Sequence, residues 1–435
     1  MNKSMIPSRT GHIYVPARLR FPDEPIVTNL TDTDFYKFPM GQFIFNHFPG
    51  VKVAFDLTNR TLTVKLARII PEAQLREELD HVRTLRYTNT ELHYLRGTDE
   101  YSHRMFGEPY LQSLRNYQAP EYELECTGNQ IKLRFSGNWL DSSPWEIYGL
   151  EIINELYFRQ LLKEHSITSI DVIYAEGKKR LWEKIQVLKK NPQIVFSEFG
   201  TRRRFSRMWQ DYVVAALTEE LCPAQFRGTS NVFLAQKYGL LPMGTNAHEL
   251  QMVIAALNQA TDETLRASLL EMLKLWWQQY GEALAIFLPD TFGTESFLDT
   301  VTEEMLKQWK GFRQDSGDPI AEGEMWIKIY QKYGIDPRTK MMICSDGLDL
   351  ATMIKIEAHF RGRLMVSFGW GTNLTNDLGF GTLSLVIKAM SANGIGTVKL
   401  SNNPAKAMGE KDQVERYMRA FHYDPATKLF VKPTY

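Results

Sequence analysis

"QIVFSEFGTRRRFS", residues 193–206, is the stretch on which the fold reading turns. An apolar run of strand length ends on a glutamate, a phenylalanine and a glycine turn, and three arginines follow. From Ser206 the pattern becomes helical, in "SRMWQDYVVAALTEEL". A short apolar segment that stops on polar residues and hands over to a helix reads as a βα unit. The same grammar recurs in "LPMGTNAHE", "LAIFLPDTFGT", "GFRQDSGDP", "MMICSDGLD", "LMVSFGWGTN" and "TVKLSNNP". Each run keeps its chemically capable residues at its C-terminal end. Parallel βα repetition collects those ends on one face, where helix N-termini also converge, so a barrel-like sheet with its active site there is expected.

Upstream the pattern differs. A strand-like "VKVAFDLTNR", a helical "PEAQLREELDHVRTL" and an alternating "YELECTGNQIKLRFSG", with a hairpin at Thr127-Gly128-Asn129, read as α+β. The helical "WEIYGLEIINELYFRQLLKEH" marks the change. The fold class expected is α/β: an N-terminal α+β domain over residues 1–145 and an irregular (β/α) barrel-like catalytic domain over 146–435, whose C-terminal segments can return to the first domain.

The chain has 435 residues, with 51 Lys plus Arg against 51 Asp plus Glu. Zero net charge disfavours general nucleic-acid or membrane-surface binding, so any anion site is local. Three cysteines, Cys126, Cys222 and Cys344, form no CxxC and no paired framework, which suits a reducing compartment. The first 25 residues lack an apolar signal segment, and no run reaches the roughly 18 apolar residues of a membrane helix. A cytoplasmic protein is expected.

Each strand end has a chemical and a bland reading. Gly200 permits a tight turn, Thr201 or Ser206 can cap the next helix, and Arg202 with the helix amides would favour a phosphate. An arginine run is as readily a solvated helical face, and Arg202, Arg203 and Arg204 cannot all enter one site. His248 follows a Gly244-Thr245 turn with Glu249 beside it. A histidine becomes a nucleophile or base when a neighbour orients its other ring nitrogen, but one histidine alone is more often structural. Around Gly317 lie Arg313, Asp315, Ser316 and Asp318, suited to an anion and a divalent cation, or to an Asx turn with a surface ion pair. Asp290 and Asp346 end two further strands, where a carboxylate is costly unless paired or functional. Gly369 and Gly371 in "SFGWGTNLT" form either an anion-binding nest or a plain turn. "TDTDFYKFPM" supplies Asp34, Tyr36 and Lys37 ahead of a helix.

Taken together, "TDTDFYKFPM", "EFGTRRRFS", "GTSNVFLAQKYGL", "PMGTNAHE", "FRQDSGDP", "SDGLDL", "FGWGTNLTND" and "VKLSNNPAK" resemble, in order, the pattern of the nicotinate phosphoribosyltransferase family over residues 28 to 410. The resemblance implies a type II phosphoribosyltransferase fold, a homodimer with shared active sites, and an ATP-coupled, Mg²⁺-dependent reaction of nicotinate with phosphoribosyl pyrophosphate. It implies that Phe199 stacks on the pyridine, with Tyr36 of a second subunit as the opposite plate. It further implies that Arg202 contacts phosphate, that Arg313 meets the nicotinate carboxylate or the adjacent sugar phosphate, and that Asp346 binds the ribose hydroxyls. Asp290 and Asp315 would steer Mg²⁺ and diphosphate, Gly369, Gly371 and Thr372 would cradle the 5′-phosphate, and Lys399 and Lys406 would add positive charge. His248 falls on the family's phosphorylated histidine, with Glu249 as the neighbour expected to orient it. Related nicotinamide enzymes carry an aspartate where this chain has Ser230, which can donate to an acid, so nicotinate is expected over nicotinamide. The competing readings are a nicotinamide phosphoribosyltransferase, a catalytically silent relative that senses nucleotides, and an unrelated phosphate-binding barrel.

Overall fold

The computed structural model describes residues 24–98 and 104–427, so nearly all of the N-terminal stretch scanned for a targeting signal lies outside the described residues. Two sheets organise the chain. One is antiparallel, ordered β12-β11-β1-β3-β2, from β1 (Lys52–Asn59), β2 (Tyr122–Thr127), β3 (Gln130–Asn138), β11 (Leu385–Ala392) and β12 (Ile395–Gly396). The hairpin β2–β3 turns through Gly128, whose φ of 60° lies in the left-handed region that glycine tolerates. The other sheet is parallel and curls into a half-barrel, ordered β6-β5-β4-β10-β9-β8-β7. Its strands are β4 (Phe196–Glu198), β5 (Phe226–Thr229), β6 (Leu241–Pro242), β7 (Ile286–Phe287), β8 (Gly311–Gln314), β9 (Met341–Cys344) and β10 (Met365–Trp370).

Six of the seven apolar runs are strands of this sheet. The seventh, "TVKLSNNP", is not: its Lys399 makes only an isolated bridge to Met408. The seventh strand is instead β5, "FRGT", too short and too polar for periodicity to reveal. The helix after the arginines begins at Arg207, because the Ser206 hydroxyl accepts the Trp209 amide at 3.1 Å. Residues Thr201–Arg203 form a separate 3-10 turn.

The helix Trp145–Lys163 packs between the layers, against β11 and that 3-10 turn. It is buried all round from Trp145 to Phe158, and its sequence is accordingly apolar over most of its surface. It carries Glu146, Glu151 and Glu155 into the interior, each 1% exposed or less, and each is matched by a cation there. No helix among the described residues is long and apolar enough to cross a membrane, and all three cysteines are unpaired.

Candidate active site

A cleft of about 180 Å³ opens between the C-terminal ends of the parallel strands and the edge of the antiparallel sheet. Seven cationic side chains, Arg60, Arg202, Arg203, Arg313, Lys388, Lys399 and Lys406, border it, against the carboxylates of Glu146, Asp315 and Asp346. The cleft is built for anions although the chain is neutral.

The end of β4 is held from beneath. Glu198 is fully buried and accepts the Thr229 hydroxyl at 2.5 Å, the Gln210 amide at 3.1 Å and the Gly200 backbone amide. Burial pushes its carboxyl up to about 7. The turn it clamps distributes the arginines. Arg204 is core, paired with Asp32 at 2.7 Å and Glu151 at 2.9 Å. Arg202 borders the cleft, tied to Asp34 at 3.1 Å and Glu146 at 3.5 Å, and Arg203 borders it too. None of the three is a solvated helical face. Phe199 borders the cleft beside Gly369 of the adjacent strand, where a methyl group would lie 2.5 Å from the Phe199 ring. That glycine therefore makes room for the ring. Gly371 and Thr372 also border the cleft, whereas Gly200 is buried and does not line it.

His248 is the first residue of the helix His248–Leu257. Its Nδ1 meets the Thr291 hydroxyl at 2.8 Å, and its Nε2 lies 2.8 Å from Asp315 and 3.6 Å from Asp290. Burial, with Lys399 adding to it, lowers the imidazole to about 4, so it is neutral near pH 7. Burial raises the Asp315 carboxyl, but Arg313, His248 and Lys399 outweigh that and hold it well below the carboxylate range. An ionised Asp315 accepts, so hydrogen-bond logic puts the ring proton on Nε2. Ser345 donates to the other Asp315 oxygen at 2.8 Å. Glu249 does not orient the imidazole: it turns to a different side of the helix and accepts Lys37 at 2.6 Å and Trp139 Nε1 at 2.7 Å. Thr291 and Asp315 do that work instead.

Asp290 lies under His248, fully buried and not on the cleft wall. Its Oδ2 accepts Ser316 at 2.5 Å, and its Oδ1 has no hydrogen-bond partner among the described residues. Ligand atoms of His248, Asp290 and Asp315 fall within 4.8 Å of one another, and an orphaned carboxylate oxygen facing a second carboxylate suits a hard divalent cation. Arg313 borders the cleft with its Nε buried and unpartnered among the described residues, which suits an anion. Asp346 is paired with Lys406 at 2.7 Å. Lys399, 3.9 Å from Asp290, is lowered to about 8 by burial.

Tyr36 borders the same cleft as Phe199 within one chain. One expectation changes. Ser230 is 3% exposed and not on the wall; its hydroxyl donates to Asp34 at 2.6 Å, so its influence on the cleft runs through Asp34 to Arg202.

The sequence reading missed Arg60, Glu146, Ser345 and Lys388. Lys388 did leave a signal, as the lone cation in the apolar strand "LVIKAMSA", and Glu146 left one as the first of three acids in a mainly apolar helix.

The model describing the nicotinate phosphoribosyltransferase (NAPRTase) family matches residues 194–425, and that of the NAPRTase N-terminal domain matches residues 31–154. The crystal structure of a nicotinate phosphoribosyltransferase from Vibrio cholerae is 32% identical, with TM-score 0.81 over 94% of this chain and 96% of that one. One from Porphyromonas gingivalis is 27% identical, with TM-score 0.82 over 91% of this chain and 100% of that one. A Saccharomyces cerevisiae protein assigned to the same activity is 28% identical, with TM-score 0.82 over 92% and 99%.

Proposed function

Because this chain belongs to the nicotinate phosphoribosyltransferase family, we propose that it joins nicotinate to phosphoribosyl pyrophosphate, giving nicotinate mononucleotide and pyrophosphate on the route to NAD. The observation that carries this reading is the composition of one cleft: two aromatic rings, Tyr36 and Phe199, share it with seven cations. The rings suit a flat heteroaromatic base, and the cations suit a substrate bearing a carboxylate, a 5′-phosphate and a diphosphate.

In this reading the protein is a homodimer and the pyridine lies against Phe199 and Tyr36. Arg313 and Arg202 meet the anionic groups near the base, and Asp346 takes the ribose hydroxyls. Gly369, Gly371 and Thr372 border the 5′-phosphate, with Lys399 and Lys406 facing the diphosphate. Departure of pyrophosphate from the sugar's C1 leaves oxocarbenium character, as in glycoside cleavage, and the pyridine nitrogen attacks that carbon. No protein nucleophile takes part in this step; the residues orient the reactants and stabilise the departing charge. Asp290 and Asp315 would hold Mg²⁺, which when bound supplies charge neutralisation of the diphosphate.

ATP coupling belongs to the same proposal. Attack on the γ-phosphorus of ATP uses the other tautomer of the neutral His248: with the ring proton on Nδ1, donated to the Thr291 hydroxyl 2.8 Å away, the free Nε2 lone pair forms the N–P bond, and the bond to the β-phosphate oxygen breaks with release of ADP. Preference for the acid over the amide is supported by the cationic excess of the cleft. A reducing, cytoplasmic setting accords with three unpaired cysteines.

The test is a product assay with phosphoribosyl pyrophosphate and Mg²⁺, offering nicotinate or nicotinamide, with and without ATP. Nicotinate mononucleotide, formed faster with ATP and accompanied by ADP, is expected. Nicotinamide mononucleotide alone would overturn the base assignment, and no product from either base would favour a silent relative.

A further inference from the structure

Glu146, the second residue of the helix Trp145–Lys163, is 1% exposed yet borders the cleft. Its Oε2 accepts the Tyr36 hydroxyl at 3.2 Å and lies 2.8 Å from the Lys37 ammonium. Its Oε1 accepts Lys388 at 2.6 Å and lies 3.5 Å from the Arg202 guanidinium. These partners come from three separate parts of the fold: the start of the first described helix, strand β11 and the turn after β4. Lys37 continues inward to Glu249 at 2.6 Å.

A buried carboxylate is tolerable only when it is paired, and removing its charge takes from Lys388 its ion-pair partner while Lys37 keeps Glu249 and Arg202 keeps Asp34. Burial alone would raise the Glu146 carboxyl; Lys37, Lys388 and Arg202 reverse that and keep it anionic. Tyr36, Arg202 and Lys388 all border the cleft, and the Arg202 guanidinium lies 5.7 Å from the Tyr36 ring centroid. Thus an aromatic plate and two cations meet at one carboxylate, with Asp34 holding the other side of Arg202 at 3.1 Å. The groups assigned to the sugar and diphosphate have their ion pairs elsewhere: Asp346 with Lys406, and Lys399 with Asp290.

We propose that Glu146 is the positioning residue of the base subsite: one carboxylate fixes Tyr36, Arg202 and Lys388 so that the stacking plate and the cations that read the acid group of the base are set together. This role rests on the phosphoribosyl-transfer reading of the cleft. Glu146 touches no reacting atom, and its effect falls on one substrate rather than on both.

The test compares steady-state constants for both substrates in wild type, Glu146→Gln and Tyr36→Phe, with thermal midpoints recorded alongside. Glu146→Gln is expected to raise KM for nicotinate about tenfold or more while KM for phosphoribosyl pyrophosphate stays within about twofold. Tyr36→Phe removes only the hydroxyl that reaches Glu146, so it serves where Glu146→Gln does not fold. It is expected to give the same split at about threefold. Equal changes in both KM values, or no change in Tyr36→Phe, would overturn the proposal. Calorimetric titration of nicotinate separates the two claims: a wild type that binds nicotinate more tightly than the variants, without turnover, upholds the positioning role while the reaction assignment fails. A wild type that neither binds nicotinate nor turns it over removes both.

Discussion

Replacing Gly369 with alanine tests whether the place of the Phe199 ring sets the rate. Residue 369 lies on β10 beside the end of β4, and a Cβ there would sit 2.5 Å from Phe199 Cδ2 and 2.7 Å from Cε2. Non-bonded carbons are at rest at about 3.5–4.0 Å, so the ring must retreat by about 1 Å. The Gly369 backbone is not among the positive-φ glycines, so alanine brings no backbone strain and the cost is overpacking, about 1–3 kcal/mol of stability. A misplacement of about 1 Å in a positioning group costs on the order of 100-fold in rate. The assay is kcat/KM for nicotinate at saturating phosphoribosyl pyrophosphate, with urea unfolding in parallel. A fall of roughly 100-fold, or about 2.7 kcal/mol of transition-state stabilisation, is expected. In the double variant Gly369→Ala/Phe199→Leu the smaller side chain relieves the clash. Stability should recover while activity stays low, a non-additive pattern that identifies the contact. Gly369→Ala with kcat/KM within threefold of wild type would refute the reasoning, because the ring would then be free to move without consequence.

His248→Gln keeps a neutral amide toward Asp315 but offers no nucleophilic nitrogen, so labelling from γ-labelled ATP and ATP stimulation should vanish while slow ATP-independent synthesis continues; persistent labelling would move the phosphoryl acceptor elsewhere. Glu198 gives a pH signature. Its carboxyl is raised to about 7 by burial, so the folded state holds the proton more tightly than the unfolded chain. Its contribution is therefore complete below about pH 4.5 and fades as pH rises through 7, by about 3 kcal/mol in all. Urea unfolding at pH 5 and pH 8 should show this loss in wild type and a smaller one in Glu198→Gln, and equal losses in the two proteins would exclude Glu198 as the source.

The amino-acid sequence by itself determined the βα order, the half of the chain that forms the parallel sheet, and the rule that chemistry sits at strand ends, because these follow from local periodicity and turn residues. Phe199, Arg313, Asp315, Asp346 and Gly369 were legible for that reason, Lys399 came only with the family resemblance, and the cleft includes all of them. Strands of two residues, such as β6 and β7, show no periodicity of their own and were recovered only from the turn residues and helical patterns on their C-terminal side. Tertiary structure decided what each side chain faces. Adjacent residues on a helix do not share a face, so Glu249, next to His248 in sequence, turns to Lys37, while Thr291 and Asp315, 43 and 67 residues away, hold the imidazole. Three consecutive arginines divide into one core ion pair and two cleft residues, because Asp32 and Glu151 lie beside only one of them. Glu146 meets Tyr36 and Lys388 across 110 and 242 residues, a convergence that exists only once the helix, the antiparallel strand and the turn after β4 have packed together and excluded the water that would otherwise have solvated the charges.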